Sequence, residues 1–212
     1  MITMMPSTYS IPLFCKLMLA LTIIATALFP AVAHARLGES MSDIERRLTG
    51  AGGIVYRDQD MIQVRQRGMP YLRILEYLPS RPQVRVYFKT DDGRRPMASE
   101  LDGRNMPRGW DFHVVYLNGV SVLEVYRRSQ ALTEQEINQL LALQQGNSYW
   151  ERVRNAEETA LGYRFQRADG VLRANQVGNE MFMIFDAEMD RKVERAIEEA
   201  RKESAPISVQ GF

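Results

Sequence analysis

The run at 110–127, WDFHVVYLNGVSVLEVYR, constrains this chain most, because its central dipeptide leaves few conformations open. Asn118-Gly119 tolerates the positive φ that both middle positions of a type I′ turn require, and that turn matches the natural twist of paired strands. The spacing predicts two strands in tight register, with Leu117 opposite Val120, Val115 opposite Val122 and His113 opposite Glu124. Phe112, Val114, Tyr116, Leu123 and Val125 then share the face to be buried, with Ser121 its one small polar member.

Residues 1–35 read as a secretory signal peptide. Lys16 precedes an apolar run at 17–29, LMLALTIIATALF, followed by Pro30 and the small-residue site Ala33-His34-Ala35. Cleavage is expected near Ala35, releasing the chain to the periplasm or the medium. The apolar run falls short of the roughly 20 residues that cross a bilayer, so no stable span is expected after cleavage. Cys15 lies before the apolar core, whereas a lipid-bearing cysteine follows one. Cleavage leaves 177 of the 212 residues, none of them cysteine, with His113 as the single histidine. Disulfides, thiolate catalysis and sulfur-ligated zinc are thereby excluded, and a transition-metal site has too few ligands. Lys16 is the only charged residue of the leader, so 26 basic residues face 26 acidic ones in the remainder. That balance gives no argument for nucleic acid or an anionic membrane surface.

The expected fold is α+β: an antiparallel sheet of five or six strands with helices on one face, followed by a C-terminal hairpin, strand and charged helix. Residues 36–146 would hold the first part and 147–212 the second, as one domain or as domain and subdomain. A capping box of Ser42 and Glu45 opens a short helix that ends at Gly50, Gly52 and Gly53. Strands are predicted at 54–56, 61–67, 72–78 and 84–88 from alternation and β-branched content. The stretch 89–109 has no apolar period and reads as a long mixed-charge loop. A helix over 133–145 carries two start signals, the Thr133/Glu136 capping box and the Leu132/Ile137 staple. Tyr149 and Trp150 are expected to anchor on the sheet. Asp169-Gly170 predicts a hairpin between 162–167 and 171–174, and 181–185 a further strand. From Asp186 a helix follows, with Met189, Val193, Ala196, Ile197 and Ala200 along one stripe.

Three stretches carry a resemblance: Arg36-Leu37-Gly38-Glu39-Ser40, then LTEQEI at 132–137 leading to Gly146, Ser148 and Trp150, then Arg167-Ala168-Asp169-Gly170. With them the chain resembles a group of small secreted bacterial proteins of unassigned function, which implies secretion and a shared fold but no mechanism. In element order alone it is also similar to BamE-like outer-membrane assembly lipoproteins and β-lactamase-inhibitor proteins.

His113 facing Glu124 is the candidate for acid–base chemistry, since a carboxylate can orient an imidazole and raise its pKa. A cross-strand polar pair explains the same two residues without chemistry. Asp58, Asp60, Asp91 and Asp92 lack the order of a calcium loop and read as turn residues. Arg94, Arg95, Arg104 and Arg108 alternate with acids, as in a solvated loop. No cofactor motif is present. Function is therefore expected to be non-catalytic: an exported module that binds another envelope protein through the 89–109 loop and exposed Tyr71, Tyr77 and Tyr87. The alternatives are a hydrolase or isomerase using His113 and Glu124, and a homodimer formed through the Met189–Val193–Ile197 stripe.

Overall fold

Asn118 and Gly119 take φ of 51° and 83° and join β3 (Gly109–Leu117) to β4 (Val120–Arg128) in the tight hairpin their identities demand. The computed structural model describes residues 37–101, 107–154, 156 and 158–204. The stretch read as a signal peptide, Arg104 and the residues beyond 204 lie outside them. Around the hairpin lie β1 (Ile54–Val55), β2 (Gln83–Thr90), β5 (Trp150–Arg152), β6 (Phe165–Arg167), β7 (Leu172–Val177) and β8 (Met181–Asp186). They form one antiparallel sheet in the order β1-β2-β3-β4-β8-β7-β6-β5. Eight strands exceed the expected five or six because the C-terminal strands join the same sheet. β8 pairs along β4 from Leu123↔Phe185 to Arg127↔Met181.

Helices cover both faces of this sheet, not one. On the first face a 3-10 helix (Pro70–Tyr77) and the C-terminal helix bring Tyr71, Ile74, Met189 and Val193 onto Val115, Leu123, Val125, Met183 and Phe185. On the second, α1 (Met41–Gly50) and α3 (Glu134–Leu143) set Ile44, Ile137, Leu140 and Leu141 on Phe112, Val114, Tyr116, Phe182 and Ile184. Covering both faces buries every position of a central strand, which is why Phe182, Met183, Ile184 and Phe185 are each 0% exposed. Each large side chain so enclosed contributes roughly 1.5–3 kcal/mol.

Two runs read as strands are helical. Residues 61–66 lie in α2 (Gln59–Gln66), whose N-cap Asp58 accepts the Met61 N–H at 2.9 Å. Residues 72–77 lie in the 3-10 helix, where Pro70 opens the first turn at no hydrogen-bond cost. Its buried Tyr71, Ile74 and Leu78 repeat at three and four residues, a helical spacing that β-branched content had masked.

The strongest start signals behave locally. Thr133 Oγ1 accepts the Glu136 N–H at 3.2 Å, and the Glu136 carboxylate accepts the Thr133 N–H at 2.8 Å. Asp186 caps α4 (Ala187–Ser204) by accepting the Met189 N–H at 2.7 Å. The first helix is capped by Ser40 rather than Ser42. Met189, Val193 and Ile197 pack on the chain's own core, so the stripe assigned to a second copy is already covered. Trp150 anchors as expected, donating to the Leu141 carbonyl at 2.8 Å, whereas Tyr149 is 59% exposed. Among the described residues no helix is long and apolar enough to cross a membrane.

Candidate functional site

The register of the central hairpin decides where its polar residues go. Tyr116 pairs with Ser121 and Val115 with Leu123, so Val122 is an extra residue on β4. Beyond that bulge the pairing is His113↔Val125 and Val114↔Glu124. Adjacent residues of a strand point to opposite faces, so His113 and Glu124 lie on opposite sides of the sheet. The acid–base pair is therefore excluded by geometry. Leu123 and Val125 likewise move to the face opposite Phe112, Val114 and Tyr116.

The N-terminal arm pairs with β4 beside the bulge. Gly38 N–H donates to the Ser121 carbonyl at 2.8 Å, and Ser121 N–H donates to the Glu39 carbonyl at 3.0 Å. The arm takes up both backbone groups of Ser121, next to the place where β8 has given way to α4. Gly38 makes this approach with φ of 96°, a conformation side-chain-bearing residues avoid.

Both titratable residues are completely enclosed. His113 Nδ1 and the Tyr71 hydroxyl are 2.9 Å apart, and burial, helped by Arg127 and Arg65, lowers the imidazole to about 3. It is neutral at any ordinary pH. Glu124 Oε2 accepts from the Tyr126 hydroxyl at 2.6 Å and from Gln144 Nε2 at 2.8 Å, while Gln144 Oε1 accepts the Leu37 N–H at 2.9 Å. Burial pushes Glu124 up to about 7, against the two hydrogen bonds and Arg47, which favour its charge.

The expected contact surface does not assemble. Tyr87 is buried with its hydroxyl 2.9 Å from that of Tyr116, Tyr71 is buried against His113, and Tyr77 is partly covered. Arg94 forks onto Glu100 at 2.6 and 2.7 Å and reaches Asp92 at 3.2 Å, so it braces its own loop. Arg95 is exposed, and Arg104 lies outside the described residues. Arg108 stands at the rim of a small cleft shared with Arg65, Asp111 and Arg127. Among the described residues no three carboxylate or histidine side chains are placed to hold a metal ion.

A larger concavity, about 560 Å³, lies elsewhere: between the arm, the end of α3 and the β6–β7 turn. Arg167 organises it. Its Nε and Nη2 fork onto Asp169 at 2.9 and 2.8 Å, and its Nη1 donates to the Gln144 carbonyl at 3.0 Å. The fork holds the Asp169 carboxyl below its ordinary range. Asp169 also accepts the Val171 N–H at 3.1 Å, and Asp186 caps α4, so both carboxylates of the cleft wall are structural. Around them stand Gln145, Asn147 and Ser148, with Val120 and Val171 exposed at 42% and 48%. Such a wall can hydrogen-bond and cover apolar groups, and it holds no imidazole or thiol to move a proton.

Reading the sequence missed Gln144 and Ser121 as positioning residues. Each was visible as the odd polar member of an apolar stripe, a signal without a direction until the arm is seen to meet both. No family model, curated protein or solved structure matches the chain.

Proposed function

We propose that this is an exported, non-catalytic binding module that seats another envelope protein in the cleft between the arm, α3 and the β6–β7 turn. The observation that carries the reading is the composition of the cleft wall. Exposed valines beside amides and hydroxyls provide the apolar centre and polar rim of a protein contact. The stretches that carry the resemblance to small secreted bacterial proteins supply that wall: Leu37 and Gly38, Gly146 to Ser148, and Arg167 and Asp169. Export rests on Lys16, the apolar run and the Ala33-His34-Ala35 site.

Two measurements test this. A photo-crosslinking residue at Val171 should yield a discrete adduct in intact cells, lost when Val120→Asp is added. The same residue at Arg95 should yield none. Equal adducts from both positions, or none from Val171, overturn the reading. The intact mass of the protein recovered from the cell envelope fraction should be that of the chain from Arg36, and a mass retaining the leader removes the export half of the proposal.

A further inference from the structure

We infer that a second cavity, the groove between α1 and α3, binds a small amphipathic carboxylate: an aliphatic or aromatic body with one anionic head. This goes beyond the partner cleft and does not depend on it. The groove encloses about 330 Å³, within the usual range of small-molecule sites, and lies between two helices over a sheet, a common position for such sites. Phe112 and Tyr126 stack with ring centroids 4.7 Å apart and form its floor. Leu48, Leu140 and Leu143 form the walls, and Trp110 closes one end. An apolar body laid there covers the parts of Leu48, Trp110 and Leu143 that the fold leaves open.

The head-group preference follows from charge. Three charged side chains line the groove, and two of them are already matched. Arg47 pairs with Glu39 at 2.7 Å, and Glu136 pairs with Arg128 and caps Thr133. Lys89 is half-buried and has no ion-pair partner among the described residues. Its strand partner is Trp110, so the two side chains leave the sheet on one face, and both line the groove. A cationic head is repelled there, a neutral one gains nothing from Lys89, and a carboxylate gains a counter-ion.

The protein carries its own reporters. Its two tryptophans give two indole N–H signals, and only Trp110 lines the groove, Trp150 lying on the far side of α3. In NMR titrations of the intact chain, decanoate should shift the Trp110 signal saturably and leave Trp150 in place. Acetate should do nothing, and decyltrimethylammonium should bind at least about tenfold more weakly. Lys89→Met keeps the stem that packs while removing the charge, and should weaken decanoate about tenfold, erasing the preference over the cation. Four results overturn the inference: equal binding of both heads, a shift confined to Trp150, no saturable shift below micelle formation, or undiminished affinity in Lys89→Met. Should Lys89→Met fail to fold, the comparison of head groups on the unaltered protein decides alone.

Discussion

Replacing Asp190 with alanine is expected to lower the free energy of unfolding by about 3–5 kcal/mol, among the largest effects available to a single substitution here. Asp190 stands in the first turn of α4 with its side chain fully enclosed, and its Oδ2 accepts from Arg173 Nη1 at 3.0 Å. Its Oδ1 accepts the Leu161 N–H at 3.2 Å, so one carboxylate ties the helix to β7 and to the segment before β6. The Arg173 guanidinium lies 4.1 Å from the centre of the Tyr163 ring, and its side chain is only 5% exposed. Truncation breaks this buried pair and leaves the Leu161 N–H without its acceptor, so the desolvation of both groups is less well compensated. The double variant Arg173→Met, Asp190→Leu removes both charges of the pair and should recover part of the loss, the Leu161 N–H still lacking its acceptor. Urea unfolding of the three proteins measures this. A single variant within about 1 kcal/mol of the parent contradicts the assignment.

Glu124→Gln is expected to change how stability depends on pH more than it changes the fold. The folded-state value of Glu124, about 7, lies above its ordinary 4.5, so the folded chain binds the extra proton between those limits. Stability from this group is complete below about pH 4.5 and is lost as pH rises through about 7, to the extent of about 3 kcal/mol. His113 works in the opposite direction: its value falls from 6.5 to about 3, so stability is lost as pH falls through that window. Between about pH 4.5 and 6.5 the two slopes oppose each other in the parent protein. The glutamine variant retains only the histidine slope, about 1.4 kcal/mol per pH unit, so it gains on the parent steadily across the window. Around Glu124 stand Tyr126 and Gln144 as donors, with the Glu39–Arg47 pair nearby. At pH 8 the variant should be more stable by about 2–3 kcal/mol. A difference between the two proteins that stays flat from pH 4.5 to 8 rules out a buried, titrating Glu124.

These two residues also show how far the sequence could be read. Asn118-Gly119, the Thr133/Glu136 box and the Asp186 cap were legible because each depends on hydrogen bonds or torsions within about four residues. The Asp169-Gly170 hairpin and the final helix were legible for the same reason. Glu124 and His113 were identified correctly as unusual and placed wrongly relative to each other. Alternation predicts a register only while every residue has a partner, and Val122 has none. Beside the bulge, Ser121 bonds backbone groups of an arm more than 80 residues earlier in the chain, which no local pattern contains. Residues 72–78 failed differently. Aromatic and branched residues favour a strand by composition, while their spacing, which places Tyr71, Ile74 and Leu78 on one stripe, favours a helix.

The candidate clefts were legible only as fragments. Leu37, Gln144 and Arg167 each appeared in a marked stretch, yet nothing in the sequence brings them together. The Leu37–Gln144 hydrogen bond joins residues 107 positions apart. By itself the sequence determined the turn, the caps at Thr133 and Asp186, and the even charge and lack of cysteine over residues 36–212. Only the tertiary structure decided which face each residue serves, that Glu124 is desolvated and where the cavities lie. The physical division is one of range: torsional preference and capping act over a single turn of chain. Burial and register are set by whichever distant segment the sheet happens to meet.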